Sequence, residues 1–176
     1  LSALVAALRR SSNHAGAVQI GKKHTAEPKV MMEYGKSLQE SAPDEAIEVL
    51  AKAVALQPKN PLAHATLAAA AQQAGDSEYA LEAAEKSLQI WDDEPEWHAW
   101  AAQLAGECFE WEKAAKLLQA AVELDADNLQ YKLALGKAHI QNREPKAAVE
   151  LMESLDKKAK EKGQVWLLLS EAYQHS

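Results

Sequence analysis

Cysteine is nearly absent: Cys108 stands alone in 176 residues, which excludes an internal disulfide framework and any Cys-rich zinc site. Glycine is sparse at seven residues, and neither a sustained apolar–polar alternation nor an Asn-Gly hairpin turn occurs, so a β architecture is not expected. No apolar run approaches the roughly 20 residues that a membrane-spanning helix needs. The nearest, residues 1–8, runs straight into Arg9-Arg10, with the charge after the apolar stretch instead of before it as in a signal peptide. Positive charge is in deficit too. Nineteen basic against 26 acidic residues leave a net charge of −7, which supplies no footprint for nucleic acid or an anionic membrane surface. What remains is 48% apolar and 26% charged, enough for a continuous core, with five tryptophans among ten aromatic residues.

The main signal is internal repetition. Ala46, Ala80, Ala114 and Ala148 recur at a step of 34 residues, and Ala68, Ala102, Gly136 and Ser170 follow the same step. Leu67, Ala101, Leu135 and Leu169 precede the second set by one residue. The units are therefore 28–60, 61–94, 95–128, 129–162 and a half unit 163–176, the first one residue short near Ser41-Ala42. Each unit reads as two helices. Pro28, Pro61 and Pro95 open first helices and Pro43 and Pro145 open second ones, where the missing N–H costs nothing. Small residues recur at fixed places because two helices approach to about 8–10 Å only where the crossing side chains are small. One helix pair cannot bury its own apolar face, and stacking copies joins those faces into one elongated core. Residues 1–27 fit the period less well and read as an irregular N-terminal cap or degenerate repeat of two helices, 1–10 and 13–24, with Ala17 and Ile20 toward the stack.

This pattern resembles the tetratricopeptide repeat, through the 34-residue step, the pairs Leu67-Ala68 and Leu135-Gly136, Gly75-Asp76 and the recurring alanines. It covers all but the first 27 residues; His64 and His98 depart from the pattern at the usual aromatic position. The resemblance implies an all-α, right-handed α-solenoid of about four and a half helix pairs, whose first helices line a concave groove that holds proteins or peptides. On that reading the groove residues are Ala65, Thr66, Ala69, Gln72 and Gln73, then Ala99, Trp100 and Gln103, then Leu133, Ala134 and Lys137. Trp100 is the expected anchor, and the glutamines would bond a partner's backbone. Some relatives clamp a terminal carboxylate with Lys, Asn and Arg. The matching positions here hold Met32, Lys36, Thr66, Ala69 and Trp100, so that mode is not expected. The last helix is apolar, and Trp166, Leu168, Leu169 and Tyr173 form a second candidate surface, at which a homodimer is expected.

No chemistry of the chain's own is visible. There is no phosphate-cradling loop, nucleophile elbow or HExxH motif. His64 and His98 lie one repeat apart, too far to share an ion held at about 2 Å by each ligand, and are expected to pack between units. His139 reads as a core residue, and His14, His24 and His175 have no ligand-spaced companions. Cys108 sits between Glu107 and Glu110, a setting that discourages a thiolate. The lysines at 157, 158, 160 and 162 close a helix and are a weak candidate for an acidic partner. The expected protein is a scaffold with a protein or peptide partner, no cofactor, no metal, no nucleic acid and no direct membrane contact. The alternative is a structural or regulatory segment of a larger enzyme or membrane-anchored assembly factor.

Overall fold

The computed structural model describes residues 1–11, 13–24, 26–155, 159 and 161–174, apart from the His14 side chain. Expectations placed on that side chain, on Lys157, Lys158 and Lys160, and on His175 fall outside the described residues. Among those described there are eleven helices and no strand: α1 Ser2–Arg10, α2 His14–Lys23, α3 Pro28–Leu38, α4 Pro43–Leu56, α5 Pro61–Ala74, α6 Ser77–Leu88, α7 Pro95–Glu107, α8 Trp111–Leu124, α9 Leu129–Gln141, α10 Pro145–Glu153 and α11 Gly163–Gln174. None is long and apolar enough to cross a membrane. The chain forms two compact units, Leu1–Trp91 and Asp92–Ser176.

Helix starts follow the sequence. Pro28, Pro43, Pro61, Pro95 and Pro145 open α3, α4, α5, α7 and α10. At the starts of α5, α6 and α9, Asn60, Asp76 and Asn128 accept the orphan N–H groups of Leu62, Tyr79 and Gln130 on their side chains. The turns inside pairs repeat as well. Gly75, Phe109 and Arg143 adopt left-handed φ values of 83°, 60° and 62°. At each, the following N–H returns to a carbonyl in the last turn: Asp76 to Ala71, Glu110 to Ala105, Glu144 to His139.

In the first unit α3 packs on α4 and α5 on α6, and each pair leans on the one before it through both of that pair's helices. The α1–α2 pair meets α3 in the same way, and buries Val5 and Ala17 with Val30. In the second unit α7 packs on α8, α9 on α8 and α10, and α11 on α9 and α10. Ala46, Ala80, Ala114 and Ala148 each stand fourth in a second helix and all are buried. The small positions of the first helices have a direct cause. A Cβ at Gly35 would strike the Leu50 side chain, and one at Gly136 would lie 2.6 Å from Leu168 Cδ2 and 3.3 Å from Met152 Cε.

Both departing histidines are buried, and each makes the same bond. The Nε2 of His64 meets the Pro58 carbonyl at 3.0 Å, and that of His98 meets the Asp92 carbonyl at 2.7 Å. Each ring secures the turn six residues before it. His139 differs from its expected place in the core. It is half-buried and its Nδ1 bonds Glu144 Oε2 at 2.9 Å, because the left-handed turn at Arg143 brings that carboxylate back over the end of α9. This bond, with one from Asn142, holds the Glu144 carboxyl below its ordinary range.

Candidate partner-binding cleft

The second unit contains an open cleft of about 880 Å³ between two of its first helices. Both α7 and α9 pack on α8, yet they scarcely touch each other, whereas α9 and α11 do pack together. The gap follows the helix axes. One wall is Ala99, Ala102, Gln103, Gly106 and Glu107 of α7; the other is Gln130, Tyr131, Ala134, Lys137, Ala138 and Gln141 of α9. Trp111, Ala114 and Leu118 of α8 make the floor, and Glu171 of α11 completes the rim.

Local sequence explains this form. Alanine and glycine on the walls leave the space that larger residues would fill. Gly106 seats the floor tryptophan, since a Cβ there would lie 3.0 Å from the indole Cζ3 of Trp111. Phe109 meets Trp111 edge to face, with ring centroids 6.3 Å apart, while remaining 79% exposed. Burial first, then the charges of Glu96 and Asp125, raises the Tyr131 hydroxyl above its ordinary range, so it stays a neutral donor on the wall. On the other wall, Gln103 Nε2 donates to Glu107 Oε1 at 3.1 Å.

Of the groove residues expected from sequence, Ala99, Gln103, Ala134 and Lys137 come together in this cleft. Leu133 is buried and lines a smaller hollow of about 330 Å³ against Leu167 and Leu168, which Ala134 and Lys137 share. Trp100 is half-buried and lies outside the walls of the cleft. Ala65, Thr66, Ala69, Gln72 and Gln73 belong to the first unit. There Thr66 is buried and its hydroxyl donates to the Leu62 carbonyl at 2.7 Å, while Gln73 is exposed. Lys36, the one cation at the carboxylate-clamp positions, pairs with Glu33 at 3.1 Å. At the far edge, Leu168 and Leu169 lie inside the core of the second unit, so the exposed apolar residues of α11 are Trp166, Leu167 and Tyr173. The Tyr173 hydroxyl donates to Glu153 at 2.9 Å.

Sequence reasoning missed Trp111 because it drew the groove from first helices only. A signal was present: Gly106 stands where the neighbouring units carry Gln72 and Ile140, one repeat to either side. Among the described residues no group of three or more His, Cys, Asp or Glu side chains could hold a metal ion.

A stack of helix pairs with an open, small-walled cleft defines a helical-repeat protein of the interaction type. The sequence pattern of the tetratricopeptide repeat matches residues 37–104 and 109–172, and the chain belongs to that family. No match is found among curated protein sequences. Solved structures share the fold. A crystal structure of MamA superimposes with a TM-score of 0.74 at 15% identity, over 97% of this chain and 90% of that one. MamA from Desulfovibrio magneticus RS-1 gives 0.71 at 20% identity, over 90% of each chain. A chain of the structure of Naa15/Naa10 bound to HypK-THB gives 0.76 at 14% identity, over 99% of this chain and 30% of its own.

Proposed function

We propose that this protein is a non-catalytic scaffold that holds a segment of a protein partner in the α7–α9 cleft. The observation that carries the reading is the cleft itself: two helices that share a floor but leave their alanine-lined flanks unpacked. A flank of this kind gains free energy when a partner covers it, at about 25 cal/mol per Å² of apolar surface removed from water. Trp111, amphipathic and fixed by Gly106, has the chemistry of an interface anchor. The glutamines at 103, 130 and 141 add hydrogen-bonding capacity around the rim. Trp100 and the half-exposed residues of α5 are further candidate contacts.

Site-specific photo-crosslinking tests this. A crosslinker at Gln103 or Lys137 is expected to capture a discrete polypeptide, and one at Glu112 on the outer side of α8 is not. Trp111→Ala should reduce capture about tenfold or more, the size expected for loss of an anchor. Equal capture at inner and outer positions would overturn the reading. A second reading, a regulatory segment within a larger protein, is supported by the likeness to a chain of the Naa15/Naa10 structure, of which the matched part is 30%.

A further inference from the structure

We infer that α11 pairs with the α11 of a second copy of this chain, antiparallel and about a twofold axis that passes beside Ser170.

The repeat register shows which face of α11 lacks cover. The eighth residue of each first helix is small: Gly35, Ala68, Ala102, Gly136 and, in α11, Ser170. That place faces the second helix. A Cβ at Gly35 would strike Leu50 of α4, and one at Gly136 would come within 3.3 Å of Met152 Cε of α10. The fourth and eleventh residues share the face, one turn to either side. In α5 and α7 these positions are buried throughout, as His64, Ala68 and Ala71 and as His98, Ala102 and Ala105. In α11 they are Trp166, Ser170 and Tyr173, and all three are exposed, the two rings by 62% and 58%. With Val165, Leu169 and Glu153 they border a hollow of about 400 Å³. The hollow thus lies at the seat that a second helix takes in the earlier pairs.

The form of the occupant follows from those pairs. Turns of two to four residues join first helices to second ones, so each pair is antiparallel. The seat therefore suits an antiparallel helix that turns an apolar stripe toward it. Glu153 is the one charge among the described residues of its border, and it already accepts the Tyr173 hydroxyl at 2.9 Å. No unpaired charge there calls for an ionic ligand.

The same helix meets these terms itself. Trp166 lies four residues before Ser170 and Tyr173 three after it, so a half-turn about Ser170 lays the stripe upon itself. Each indole then faces the partner's Tyr173. Serine meets serine at the crossing, where small side chains let helix axes approach to about 8–10 Å. A single patch that serves on both copies is what a twofold interface requires. Its extent sets the strength. The exposed parts of the two rings and the rim between them come to roughly 300–400 Å² per copy. A standard interface buries about 800 Å² on each partner, so this dimer is reversible, with a Kd of about 10–100 µM. Leu167 and Glu171 border the hollow on the α9 side instead and stand outside the contact.

Sedimentation velocity of the full chain between about 1 and 500 µM should show monomer passing to dimer. Ser170→Asp and Ser170→Lys each set like charges face to face across the axis and should weaken the dimer about tenfold or more. An equimolar mixture of the two should dimerise at least as well as the parent, because opposite charges then meet. Ser170 is exposed, so thermal midpoints of the dilute monomers should not change. Trp166→Ala should weaken the dimer about tenfold, and Leu167→Ala, exposed on the α9 side, should leave it unchanged. A monomer at every concentration, a dimer indifferent to both Ser170 variants, a mixture that stays monomeric, or assembly that continues beyond two copies would overturn the proposal. A dimer broken by Leu167→Ala and spared by Trp166→Ala would place the contact on the other face and refute it as well.

Discussion

Phe109 occupies the left-handed backbone position that Gly75 holds one repeat earlier, with φ of 60° against 83°. For a residue with a Cβ this conformation costs about 1–2 kcal/mol, and Arg143 bears the same cost one repeat later. Arg143→Gly is therefore expected to raise stability, by about 0.5–1 kcal/mol once the added freedom of the unfolded chain is subtracted, and Phe109→Gly to gain less, because it also gives up the edge contact with Trp111. Gly75→Ala should lower it by about 1 kcal/mol although nothing lies within 4 Å of the new methyl. Urea midpoints of the three variants check this, and a stabilised Gly75→Ala would contradict it.

A second expectation concerns alkaline pH. The Tyr34 hydroxyl donates to Glu45 Oε1 at 2.7 Å, joining α3 to α4, and the side chain is 2% exposed. Burial foremost, then the bond to Glu45 and its charge, pushes the tyrosine up from 10.0 to about 12. The folded state thus holds this proton where the unfolded chain has released it. The stabilisation is complete below pH 10.0 and is lost as pH rises toward about 12, amounting to roughly 2–3 kcal/mol. Tyr34→Phe should be less stable at neutral pH by about 1–3 kcal/mol, for loss of a bond to a carboxylate, and should flatten this part of the alkaline slope. Unfolding free energies at pH 8, 10 and 11.5 would show it; parallel profiles would refute it.

The two turn-securing histidines give a third. Replacing His64 or His98 by Phe keeps a ring in place and removes the bond to the Pro58 or Asp92 carbonyl. A cost of about 1–2 kcal/mol is expected for each. The two share no partner, so the double variant should equal the sum of the singles within about 0.5 kcal/mol. Thermal and urea unfolding of the four proteins checks both statements, and a neutral His98→Phe would remove the assigned role.

The repeat was legible in the sequence because steric demand is local. A crossing that admits only a small side chain writes alanine or glycine at every copy, as at Ala46 to Ala148 and Ala68 to Gly136. Prolines at helix starts are legible for the same reason. The left-handed turn at Phe109 was not, since neither phenylalanine nor arginine announces a positive φ; only alignment with Gly75 does. Nor could the cleft be placed. Which of two exposed-looking tryptophans faces a gap depends on how far α7 stands from α9, and that spacing is set by many contacts to α8 at once. Buried Leu168 and Leu169 read as an exposed edge because a run of apolar residues does not say which face of the helix is covered.

Gly136 puts the steric account to a direct test. It lies in α9 where α10 and α11 both close on it, with Leu168 Cδ2 2.6 Å and Met152 Cε 3.3 Å from the position of an added methyl. In an exposed helix interior, Gly→Ala gains about 1 kcal/mol from propensity alone. Here overpacking of about 1–3 kcal/mol works against that gain. Leu168 is buried with Val165 and Ala172, and turning aside into the hollow beside Leu133 would draw it out of that packing. Gly136→Ala should therefore be net destabilising despite the better helix former. The double variant Gly136→Ala with Leu168→Ala should lose less than the sum of the two single losses, because the second truncation removes the atom struck. A rescue of about 0.5 kcal/mol or more in the double-mutant cycle would identify that contact as the cause. Strict additivity would mean that glycine is present at this position for some other reason.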